Sequence, residues 1–165
     1  MIEMGVDAEA LKALGRALKA EADGKQLRRD LIKQLKAPLA PAVAEIRAGL
    51  MSIGSGGLPS DGEPLRSAVA KRIRAEAKLS GFAAGVRVRA RKTPAVRNFA
   101  NAAKRLNSPK GWRRRVYGTD RWVVQHGKPH YFDDPLAHRR AEFRAAVLRA
   151  MEDLAARIAA NAKRG

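Results

Sequence analysis

Residues 111 to 134, GWRRRVYGTDRWVVQHGKPHYFDD, gather three consecutive arginines, both tryptophans, both tyrosines and two of the three histidines of the chain. Several chemistries are open to such a segment. His126, His130 and His138 with Asp133 and Asp134 are metal-ligand types, but their spacing matches no HExxH-like helical zinc pattern, and Gly127 and Pro129 place the first histidine in a turn. Trp112 and Trp122 are platforms on which bases can stack, but in so aromatic-poor a chain such residues are more often the few large ones that make the core. Arg113, Arg114, Arg115 and Arg121 present guanidinium forks suited to phosphates or carboxylates. The segment is therefore a nucleic-acid grip, a catalytic site or a joint between proteins.

Catalysis has the least support. There is no GxSxG, no P-loop and no GxGxxG, and the acids lie mostly on helix faces among lysines and arginines. The absence of cysteine excludes disulfides, thiolate zinc sites and cysteine nucleophiles. The chain reads as a non-enzyme without catalytic, cofactor-binding or metal residues.

Charge points to polyanions. Lysine and arginine number 34 against 16 acids, for a net charge of +18 and a pI near 11.3. The imbalance is local: Arg66 to Lys128 holds 18 basic residues and two acids, Glu76 and Asp120. Such a field attracts nucleic acid, acidic protein or anionic lipid without selecting among them. No zinc-finger spacing, RRM aromatic motif or helix-turn-helix accompanies it, so any DNA contact is expected to be independent of sequence. Apolar runs are broken by charges and the N-terminus lacks an apolar signal core, which reads as a soluble, intracellular chain with no membrane partner.

The elements that would position these residues follow from hydrophobic periodicity. Leu11, Leu14 and Leu18, then Leu27, Leu31 and Leu35, recur at helical spacing; Gly24 divides them, and Pro38 and Pro41 predict a break before Leu50. GSGGLPSDGEP, residues 54–64, is dense in turn formers. Leu65, Val69, Ile73 and Ala77 then predict one basic amphipathic helix after Pro64. Val86 and Val88 alternate with Arg87, Arg89 and Arg91, the period of a strand with one cationic face. A short helix is expected around Val96–Leu106, and a hairpin from Arg115–Tyr117 to Arg121–Gln125 through Gly-Thr-Asp. Asp133 or Asp134 caps a final helix with Pro135 in its first turn and an apolar stripe of Phe143, Val147, Met151, Leu154 and Ile158.

The expected fold is therefore α+β: a helical arm over 1–53, a flexible linker over 54–64, and a core over 65–165. In that core a small antiparallel sheet, the strand near 85–91 plus the hairpin 115–125, packs on a long C-terminal helix. Trp112, Tyr117, Trp122, Tyr131 and Phe132 are expected to anchor the hairpin on that helix. Arg87, Arg89, Arg91, Arg113, Arg114, Arg115 and Arg121 are expected to face DNA or a partner.

The order of LKAPLAPAVAEIRAGLMSI, GLPSDGEPLRSAVAKRIRAEA, GVRVRA, KGWRRRVYGTDRWVVQHGKPHYF and RAAVLRAMEDLAARIAA resembles the neck proteins of long-tailed bacteriophages. These are the head-tail connectors of the tail-component family, especially those from phages of actinobacteria. The resemblance spans nearly the whole chain and is sharpest at WRRRVYGTDRWVVQHGKPHYF, with a departure at Arg114 and Arg115, where family members often carry histidine and proline. It implies a structural virion protein in the neck, assembled in the host cytoplasm. It further implies a homo-oligomeric ring of six or twelve copies between a head-closure or connector protein and the tail terminator or tail tube protein, close to the genomic DNA. The charge alone leaves open a second reading, a basic accessory protein that binds nucleic acid without sequence preference.

Overall fold

The structure is a computed structural model that describes residues 8–20, 23–54, 63–82, 84–93 and 99–162. Its class is α+β, with an N-terminal helical region, two small antiparallel sheets and a long C-terminal helix. The chain divides into two compact units, Met1–Pro41 with Ala75–Val88 and His138–Gly165, and Ala42–Arg74 with Arg89–Ala137.

The first unit is built on leucine spacing. Helix α1 (Ala8–Ala20) buries Leu11, Gly15 and Leu18, and α2 (Gly24–Lys36) buries Leu31 and Leu35, each set at three- or four-residue intervals along one face. Both helices pack against α7 (Arg140–Ala162), which contributes Phe143, Val147, Met151 and Leu154. Leucines 11, 31, 35 and 39 are fully buried, and each such side chain stabilises the fold by roughly 1.5–3 kcal/mol. At Gly15 an added Cβ would lie 2.7 Å from the Leu79 carbonyl oxygen, so glycine is what lets that carbonyl approach the helix.

The expected proline break occurs as a 3-10 turn at Ala37–Leu39, after which the chain resumes as α3 (Ala40–Met51). Pro38 cannot donate to a preceding carbonyl, and the tighter turn accommodates it within an otherwise helical run.

The second unit buries Val43, Ile46 and Leu50 of α3, Ala68 and Val69 of α4 (Leu65–Lys71), and Ala102 and Leu106 of α5 (Ala102–Asn107). Arg66 donates from Nη1 to the carbonyls of Met51 and Ile53 and so closes the end of α3. Thr93, a buried polar residue, donates its backbone N–H to Ala100 O at 3.0 Å, and its hydroxyl lies 3.3 Å from the same oxygen. The unit also holds the hairpin of β3 (Trp112–Arg115) and β4 (Trp122–Gln125), and a short helix α6 (Asp134–His138).

Four expectations are corrected in detail. The helix after Pro64 stops at Lys71, and Ile73–Lys78 is a strand, β1, paired with β2 (Gly85–Ala90). Ala, Glu and Lys in this stretch favour helix, but the backbone groups of β2 need a partner, and pairing outweighs propensity. The single expected sheet is consequently two separate two-stranded sheets, β1–β2 and β3–β4. The first hairpin strand lies earlier than Arg115–Tyr117 and the connection is longer than a Gly-Thr-Asp turn, since β3 closes at Arg115 and β4 opens at Trp122 and ends at Gln125 as expected. The final helix is interrupted after His138, so that Pro135 and Leu136 are buried in a separate turn of helix. Of the expected linker, residues 55–62 lie outside the described residues, as do 96–98 of the helix expected around Val96–Leu106; its described helical part is α5.

A basic aromatic hairpin as candidate assembly surface

The register of the hairpin sorts its side chains. Trp112 opposes Gln125, Arg113 opposes Val124, Arg114 opposes Val123 and Arg115 opposes Trp122. Because directly opposed residues share a face, Trp112, Arg114, Val123 and Gln125 project to one side, and Arg113, Arg115, Trp122 and Val124 to the other. The first side leans inward: Trp112, Val123 and Gln125 are half-buried, and the Trp112 ring meets Phe99 at a centroid distance of 5.2 Å. Arg105 lies over the same Phe99 ring at 5.0 Å, which ties α5 to this contact.

The second side faces solvent. Trp122 and Val124 are each 55% exposed, and the Arg113 guanidinium sits 5.6 Å from the Trp122 ring centroid. Tyr117, in the connecting turn, is 95% exposed.

Local hydrogen bonds hold the turn. Val116 N–H donates to Arg121 O at 2.8 Å, Thr119 N–H donates to Val116 O at 3.2 Å, and Arg121 N–H donates to the Thr119 hydroxyl at 3.2 Å. Arg115 donates from Nε to Thr119 O at 2.8 Å and pairs with the Asp120 carboxylate. Gly118, at φ 74°, supplies the left-handed residue that the turn needs. At the base, Gly111 has φ 64° and an added Cβ there would collide with Gln125 O, while one on Gly127 would collide with the backbone of Leu106. These two glycines bring the ends of the hairpin close to each other and to α5.

Tyr131 and Phe132 are buried and hydrogen-bonded to α5. Tyr131 hydroxyl donates to Ala103 O at 3.3 Å, Phe132 N–H donates to Asn107 Oδ1 at 2.9 Å, and Asn107 Nδ2 donates to Asp133 Oδ2 at 2.7 Å. Asn107 thus clamps the chain around His130, whose φ of 60° is unusual for a side-chain-bearing residue. Burial, with the nearby Asp133 charge, pushes the Tyr131 hydroxyl up to about 12.

The expected sites therefore divide. Arg113, Arg115, Trp122 and Tyr117 come together on the hairpin, with Arg114 and Arg121 exposed beside them. Tyr117 and Trp122 are surface residues rather than anchors, while Trp112, Tyr131 and Phe132 serve packing within the second unit. On β2, Val86 and Val88 are buried as alternation requires, but Arg87 is drawn into a largely enclosed ion pair with Glu76 at 3.7 Å. Arg89 and Arg91 are exposed. Phe99, Val124 and the fully exposed Phe82 were not singled out by the sequence pattern; only the extension of strand alternation to Val124 carried a signal for any of them. No family model, curated protein or solved structure matches the chain.

Proposed function

We propose that the chain is a structural assembly protein, a ring-forming subunit of a phage neck that joins a head-closure or connector protein to the tail terminator or tail tube around the DNA channel. The observation that carries this reading is the solvent-facing side of the hairpin, where Trp122 and Val124 are exposed among Arg113 and Arg115, with Tyr117 exposed in the connecting turn. Trp, Tyr and Arg are the residue types that dominate binding energy in protein interfaces, and apolar area of this kind is stabilised when a partner removes it from water. Contact with a duplex backbone alone would call for cations and not for exposed tryptophan, tyrosine and valine. Phe82, fully exposed in the connection between β1 and β2, is a second aromatic presented to solvent at a turn.

The resemblance of the sequence to neck proteins supplies the partners. Identical subunits in a ring meet through two different surfaces, one of which the hairpin would provide. The net charge of +18 suits a position beside DNA and needs no base recognition.

Light scattering after size exclusion, run across salt with and without a short duplex, tests the reading. Discrete species at multiples of the 18.0 kDa chain without DNA are expected, with a DNA affinity that falls steeply with salt and ignores sequence. A monomer that changes mass only on adding DNA favours instead a nucleic-acid-binding accessory protein.

A further inference from the structure

A second cationic feature lies within the unit that carries the hairpin, apart from the hairpin residues. Arg47 and Met51 of α3, Ser67, Ala70 and Lys71 of α4, and Arg74 of β1 line an open recess of about 360 Å³. Three of these six side chains are cations and none is an acid.

Arg47 is held in place by donation from Nη2 to Ile73 O at 2.7 Å, yet its Nε–H is shielded from solvent and meets no acceptor among the described residues. A guanidinium N–H in that condition is costly unless an acceptor reaches it. Arg74, which also lines the recess, is oriented in its turn by donation from Nε to Lys71 O at 3.2 Å. The rim already receives an oxyanion from this chain: the Glu63 carboxylate lies 2.6 Å from Lys71 Nζ, and the Ser67 hydroxyl donates to it at 3.3 Å. The Lys71 hydrogen bond, with a smaller contribution from Ser67, holds the Glu63 carboxyl below the usual carboxylate range.

We infer that this recess is a binding site for a phosphate-class oxyanion, with Arg47 and Arg74 as its cations and with Lys71 and the Ser67 hydroxyl joining them once the phosphate displaces the Glu63 carboxylate. The donors come from three elements, α3, α4 and β1, and so converge from different directions. A tetrahedral oxyanion can meet them with several oxygens, whereas a carboxylate offers two oxygens in one plane. The recess has room for a phosphate that carries a substituent, so both a free phosphate and a phosphodiester fit this chemistry. The inference stands independently of the ring assembly.

The arginine Nε–H resonance of Arg47 in proton–nitrogen correlation spectra of the full chain is the direct reporter. Titration with inorganic phosphate at constant ionic strength should shift it saturably. Arg74→Gln and Lys71→Gln should each weaken the apparent affinity about tenfold, and Arg114→Gln on the hairpin should leave it unchanged. Dimethyl phosphate separates the sources: saturation by it as well assigns a phosphodiester backbone, and saturation by inorganic phosphate alone assigns a free or terminal phosphate. An Arg47 signal that does not move, a shift that rises without saturating, equal weakening by Arg114→Gln, or acetate binding as tightly as phosphate would each overturn the inference.

Discussion

Replacing Gly111 by alanine tests whether the hairpin is held shut by the close approach at its base. Two costs are expected at this position. A φ of 64° costs a side-chain-bearing residue roughly 1–2 kcal/mol. The added Cβ must also displace the Gln125 carbonyl, which weakens the Trp112↔Gln125 end of the ladder and the Trp112–Phe99 contact behind it. One hydrogen bond and one aromatic pair together contribute about 1–3 kcal/mol. Gly118→Ala is the matched control, since its φ of 74° carries a similar conformational cost and nothing lies within 4 Å of its Cβ position. Urea unfolding followed by tryptophan fluorescence should therefore show a loss of about 2–5 kcal/mol for Gly111→Ala and about 1–2 kcal/mol for Gly118→Ala. Equal losses in the two variants would refute the claim that the carbonyl contact matters.

Further predictions concern the units themselves. Gly15→Ala should destabilise the protein although alanine is the better helix former by about 1 kcal/mol, because its Cβ would lie 2.7 Å from Leu79 O; a rise in melting temperature would contradict this packing. Arg66→Met should lose about 1–3 kcal/mol in chemical denaturation, because the carbonyls of Met51 and Ile53 lose their donor. For Tyr131, the folded hydroxyl titrates near 12 against an unfolded value of 10.0, so the unfolded chain releases its proton first as pH rises. Its stabilising contribution is complete below about pH 10 and is lost as pH climbs toward about 12. Between about pH 9 and about pH 11.5 the wild type should lose about 2 kcal/mol more than Tyr131→Phe, and parallel pH profiles would exclude the effect.

Elements governed by local periodicity were legible in the sequence. The spacing of Leu11, Leu18, Leu31 and Leu35 gave the first two helices, and Phe143 to Leu154 gave the long last one, because a buried helical face leaves a repeat along the chain. Val86 and Val88 gave β2 for the same reason. Its partner was hidden, since Ile73 and Ala77 fit a helical face equally well and only the pairing with β2 decides between helix and strand. The hairpin was legible through its alternation and its glycine, but the fate of its aromatics was not. Trp112 packs and Trp122 is exposed because register puts them on opposite faces, and the register depends on where the turn closes. Arg87 illustrates a similar limit: alternation places it on the polar face of β2, while the strand that brings Glu76 beside it carries a helical pattern in the sequence. The recess around Arg47 joins residues from three elements and leaves no periodic trace.

The central claim, that the solvent-facing hairpin builds an assembly, is tested most directly by comparing particle masses. Light scattering of the wild type and of a Tyr117→Ser, Trp122→Ser double variant, at the same concentration and salt, reads the contribution of this surface. Both side chains are largely exposed, so the variant should retain the melting temperature of the wild type. The account predicts discrete multiples of 18.0 kDa for the wild type and a shift to the single chain for the variant. Equal masses for the two proteins, at whatever value, would contradict it.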